Sequence, residues 1–83
     1  MTDSVLLKER ITQRGLKLSY IAQYMGLSRM GLYNKINNRR PFNQHEIESL
    51  CRLLQIQSAE EKVAIFFADI VDKYGSHKRN DTV

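Results

Sequence analysis

Apolar side chains recur along the chain at helical spacing, in blocks separated by glycine or by turn-forming residues. Leu7 and Ile11 stand four apart in the first block, with Asp3 or Ser4 placed to cap its start. The block runs to about Arg14, and Gly15 suits the left-handed position that ends a helix. Leu18, Ile21, Ala22 and Met25 repeat at i, i+3, i+4 and i+7, a second helical face that Gly26 closes. Ser28 is a good N-cap for a third helix, Arg29 to Asn37, with Leu32 and Ile36 inward. Asn37-Asn38-Arg39-Arg40-Pro41 is turn chemistry. Asn43 with Glu46 three positions on is close to a capping box, and it opens a helix that buries Ile47, Leu50, Cys51 and Leu54. After a break around Ile56, Ser58-Ala59-Glu60-Glu61 reads as a second capping box. It opens a fifth helix carrying Val63, Phe66, Phe67, Ile70, Val71 and Tyr74 and stopping at Gly75. No alternating run bounded by hairpin turns competes. The pattern predicts an all-α fold of five helices, one domain over residues 1–75 and a disordered polar tail over 76–83.

Length and composition narrow the picture. A chain of 83 residues supports one modest core. No apolar run approaches the ~20 residues of a membrane span. Val5-Leu6-Leu7 is followed at once by Lys8, Glu9 and Arg10, which does not read as a signal peptide. A single Cys51 leaves no internal disulfide, so the cytoplasm is the default expectation. Charge is uneven. Residues 1–40 hold eight basic against two acidic side chains, a balance of +6, and residues 41–83 carry −2, which together make the formal +4. A basic half on a near-neutral remainder is the footprint expected of a polyanion binder.

The basic half contains the most informative stretch, residues 18–38. Two short helices meet there across a turn in which Gly26 supplies a positive φ. Ala22 is small where the helices cross, and Ile21, Met25, Leu27 and Leu32 close a mini-core around the crossing. A fixed angle lets the second helix project into a groove of duplex DNA. Its outward residues suit that role. Arg29 can bond guanine O6 and N7, Asn34 can bond adenine N6 and N7, and an apolar tip can touch the thymine methyl. Gly31 keeps one side of the helix thin. Met30 lies four before Asn34 and shares its face, whereas Arg29 can reach either a guanine or a flanking phosphate. Lys17 and the loop residues Asn38, Arg39 and Arg40 are placed to grip phosphate.

Residues 5–56 resemble the lambda-repressor/Cro-like helix-turn-helix family, the XRE group. The matching residues are Ile21-Ala22, Gly26 and Leu27-Ser28, behind a basic first helix. GLSRMGLYNKINNRRPF with the downstream EKVAIFFA is similar to short repressors of phages and prophages of Gram-positive bacteria. The resemblance implies a five-helix lambda-repressor-like domain whose second and third helices form the helix-turn-helix. It places Arg29, Met30 and Asn34 at base-reading positions, Ser28 at a phosphate contact, and Tyr33 where either role is open. Two residues depart from the family. Leu18 replaces the usual Gln at the head of the second helix, and Lys35 stands where an apolar residue is usual, so Ile36 is expected to take over that packing.

Other residues carry no chemistry. His45 and His77 have no second ligand at metal spacing, Cys51 lies on an apolar face, and no catalytic motif appears, so neither enzyme activity nor a cofactor is expected. The fifth helix has apolar surface to spare. Phe66 and Phe67 point about 100° apart, so one can fill the core while the other, with Ile70 or Val71 and Tyr74, forms a homodimer contact. The expectation is a sequence-specific repressor that dimerises on a double-stranded DNA operator. The alternative is a protein-interaction module of antitoxin or anti-repressor type, with the helix pair as scaffold and the fifth helix as the docking surface.

Overall fold

The computed structural model of the protein describes residues 1–70. Among these residues the chain is all-helical and has no strand: α1 (Ser4–Arg14), α2 (Leu18–Met25), α3 (Arg29–Ile36), α4 (Gln44–Leu54) and α5 (Ala59–Phe66). The helix ends follow local chemistry. The Asp3 carboxylate accepts from the Leu6 N–H at 3.0 Å, and Ser28 Oγ accepts from the Gly31 N–H at 2.9 Å. Each satisfies a donor that has no partner within its helix. Gly15 and Gly26 close α1 and α2 in the left-handed region, with φ of 69° and 73°.

The two capping boxes came out differently. At α4 the box is complete, with Asn43 Oδ1 accepting from the Glu46 N–H at 2.8 Å and Glu46 Oε1 accepting from the Asn43 N–H at 3.0 Å. At α5 only Ser58 does its part, accepting from the Glu61 N–H at 3.3 Å. The Glu61 carboxylate pairs instead with the Arg10 guanidinium on α1. An ion pair adds the attraction of a full opposite charge, which a backbone N–H does not offer.

Helix α1 packs on α3, α4 and α5, and α2 packs on α3 and α4. Their inward residues, among them Leu7, Ile21, Leu32, Ile36, Leu50 and Ile65, form one buried cluster. Ile36 is fully buried. Ala22 is also buried, within the cluster that joins α2 to α3. Ala22→Leu is therefore expected to cost ~1–3 kcal/mol through overpacking. A Cβ on Gly26 would meet nothing within 4 Å, so Gly26→Val should cost ~1–3 kcal/mol through backbone strain alone. Thermal unfolding checks both, and an unchanged Tm for the pair would refute this packing.

The fifth helix corrects the sequence expectation. It does not run on through the Phe pair. It stops at Phe66, and Phe67 has φ −131° and ψ 47° before residues 68–70 turn helical again. The cause is the segment Met1–Asp3. The Ala68 N–H donates to the Met1 carbonyl at 2.9 Å, and the Asp3 N–H donates to the Ile65 carbonyl at 2.7 Å. These bonds take the place of helix continuation. The inward pair is Ile65 and Phe66, and Ile65, absent from the expected stripe, is fully buried. Phe66 is only 3% exposed and meets Phe42 edge to face, with ring centroids 5.7 Å apart. It is therefore a core residue and has no surface to give a dimer. Phe67 is half-buried against the core, and Ile70 is 46% exposed. Val71, Tyr74, the stop at Gly75, His77 and the tail lie outside the described residues.

Candidate nucleic-acid interface

The arrangement is set by the direction of α3. Leu32 and Ile36 point into the core, so the opposite face of the helix is turned outward. Met30 is 64% exposed and Tyr33 43% exposed, with Arg29 and Ser28 also exposed at the helix start. Asn34 shares the outward face with Met30 but is half-buried. The loop after α3 folds back beneath it, and the Arg39 N–H donates to the Asn34 carbonyl at 2.8 Å. That bond closes the end of α3, and Arg39 and Arg40 then line a depression with Met1, Thr2, Asn38 and Phe42. A Cβ on Gly31 would lie 3.0 Å from Ser28 Oγ, so glycine here leaves room for the cap as well as for a close neighbour.

The end of α3 is tied down by the start of the chain. Asn38, in the left-handed region with φ 66°, accepts from the Thr2 N–H at 2.9 Å and donates to the Thr2 carbonyl at 2.8 Å. The Ser4 hydroxyl donates to the Ile36 carbonyl, and Lys8 Nζ donates to Asn37 Oδ1 at 3.2 Å. Both ends of the Asn38 amide are thus committed to the backbone, which corrects its assignment to phosphate. Lys8 joins the site, although no sequence motif marks it. It lies on α1, distant in sequence, and its ammonium stands 6.0 Å from the Tyr33 ring centroid. Only its place in the basic half hinted at this.

The charges divide into two groups. Arg10 pairs with Glu61, and Lys35 Nζ pairs with both oxygens of Glu46 at 2.7 Å across the α3–α4 contact. Burial pushes the Glu46 carboxyl up, but the Lys35 hydrogen bonds, the Asn43 N–H and the Lys35 charge together hold it below its ordinary value. Among the described residues the other eight lysines and arginines make no ion pair: Lys8, Lys17, Arg29, Arg39 and Arg40, and also Arg14, Arg52 and Lys62. The first five are the candidates for phosphate. All five are exposed; Arg29 lies on α3, Lys8 stands beside Tyr33 and Lys17 is the N-cap of α2, whereas Arg39 and Arg40 line a depression shared with Met1, Thr2 and Phe42. Exposed cations of this kind can neutralise phosphate.

No group of three or more His, Cys, Asp or Glu is placed to hold a metal ion among the described residues, and no helix is long and apolar enough to cross a membrane. Cys51 is buried, and burial raises its thiol above the ordinary value. No protein-family model matches the chain, and no curated protein or solved structure is significantly similar to it.

Proposed function

We propose that this protein is a sequence-specific double-stranded DNA-binding regulator, a Cro-like repressor of phage or prophage type working in the cytoplasm. In this reading α2, the Gly26 turn and α3 form a helix-turn-helix of the lambda-repressor kind, and α3 enters the major groove. The observation that carries it is an outward α3 face that presents Arg29, Met30, Tyr33 and Asn34, with Arg29 and Lys8 as the charged residues of the depressions beside it and no acidic side chain among their lining. Arg29 and Asn34 have the donor patterns for guanine and adenine edges, and Met30 and Tyr33 offer apolar contact. Lys17, Ser28, Arg39 and Arg40 hold phosphate. A homodimer on a two-fold site is part of the proposal, with Phe67 and Ile70 as its described apolar contacts.

Selection of binding sites from a pool of random duplexes, followed by titration in a salt series, tests this reading. The expected result is a two-fold consensus and an affinity that falls steeply with salt. Asn34→Ala should relax one position in each half-site and leave the others sharp. An unchanged consensus from that variant would show that α3 is not the reading helix. No duplex binding at any salt would sink the proposal outright.

A further inference from the structure

Leu18 and Tyr33 form a shared wall between two shallow depressions beside α3. The first, about 410 Å³, is lined by Leu18, Arg29, Met30 and Tyr33. The second, about 300 Å³, continues toward α1, where Lys8 is its charged residue. No acidic side chain lines either one. The surface is therefore apolar in its walls and cationic at its edges. Lys8 over the Tyr33 ring, bonded in turn to Asn37, holds the aromatic wall in place.

We propose that the first depression receives the 5-methyl group of a pyrimidine in the major groove, making thymine the preferred base beside Leu18, Met30 and Tyr33. The inference rests on the DNA-binding reading above. The reason is polar satisfaction. Leu18 can neither donate nor accept a hydrogen bond, and the thioether of Met30 is at best a weak acceptor. Against Leu18 and Met30 the amino groups of cytosine and adenine would lose water without gaining a strong acceptor, the Tyr33 hydroxyl being the one uncharged polar side-chain group of the lining that could take one. The methyl of thymine is the one major-groove feature that contact alone satisfies. Arg29, on the rim, is the charged residue of the first depression and can donate to a neighbouring guanine or phosphate. The cationic edges and the absence of acidic lining match a polyanion. Leu18, where the resembling family carries a polar residue, thereby becomes part of the reading surface.

The test uses the full chain and the tightest duplex returned by the selection. Each thymine in turn is replaced by deoxyuridine, which removes the methyl and leaves the pairing intact. At one thymine per half-site the affinity should fall about three- to fivefold, the effect of one buried methyl. Met30→Gln, at an exposed position, should abolish that difference without altering the salt dependence, and Leu18→Gln should act likewise. Replacing the same T·A pair by 5-methylcytosine·G and by C·G identifies the source of the methyl. If methylation restores affinity, any pyrimidine methyl is read; if not, thymine alone is read. Both results support the proposal. Salt-dependent binding with a sharp consensus but no loss at any deoxyuridine would overturn it and leave the DNA-binding reading standing. Failure to bind any duplex would remove both.

Discussion

Lys35→Met is expected to destabilise the fold by about 3 kcal/mol near neutral pH, because it leaves a buried carboxylate without its cation. The side chains of Lys35 and Glu46 are 17% and 11% exposed, so water compensates little. The same carboxylate completes the α4 capping box, so the pair also fixes α4 against α3. Its pH dependence follows from the lowered Glu46 carboxyl. A group whose folded pKa lies below its unfolded one stabilises the fold fully above the ordinary carboxylate range. That contribution drains away as pH falls from that range through the lowered folded value. Wild type and Lys35→Met should therefore differ most near neutrality and converge in acid. Adding Glu46→Gln to the variant should recover part of the loss, since the amide oxygen can still accept from the Asn43 N–H and no charge stays buried. Thermal unfolding near neutrality and at about pH 3 measures each effect. A constant gap across that range would show that the ion pair is not its source.

Arg39→Ala with Arg40→Ala should weaken DNA binding about a hundredfold, taking each charged contact at about tenfold. The loss should be equal on the selected site and on random duplex, because phosphate contacts carry no sequence information. The slope of log affinity against log salt should shrink by about 2. Lys35→Met serves as the internal control. Its charge is spent on Glu46, so its removal should leave the slope unchanged in whatever fraction remains folded. Should the double variant keep its slope, the loop after α3 does not touch the phosphates. The fold should tolerate the change, since the Asn34 carbonyl takes its bonds from the backbone N–H groups of both residues.

Much of the architecture was legible in the chain itself. Asp3, Gly15, Gly26, Ser28, Asn43 and Ser58 mark helix ends because each acts on backbone groups within four residues of itself. The inward residues of α1 to α4 follow from spacing for a similar reason, since helical periodicity is a property of the local backbone. The candidate reading residues were legible only as chemical types on an outward face. Their company was not. Lys8 reaches Tyr33 from a helix more than twenty positions away, and Leu18 shares a depression with Arg29 across the turn.

The sequence by itself therefore determined the helical class, the places where helices begin and end, and most of the stripe each one buries. The tertiary structure alone decided which partner a versatile side chain takes. Glu61 had the spacing to complete a cap and went to Arg10; Asn38 had the chemistry for phosphate and went to Thr2. Lys35 had no partner legible in its neighbourhood and found Glu46 on α4. It also decided that α5 ends at Phe66, because Met1 and Asp3 supply the bonds that a further turn would have made, and this buries Phe66 and leaves Ile70 outside. The physical reason is one of range. Capping and periodicity operate within a turn of helix, whereas a long polar side chain chooses among partners that only folding brings within about 3 Å.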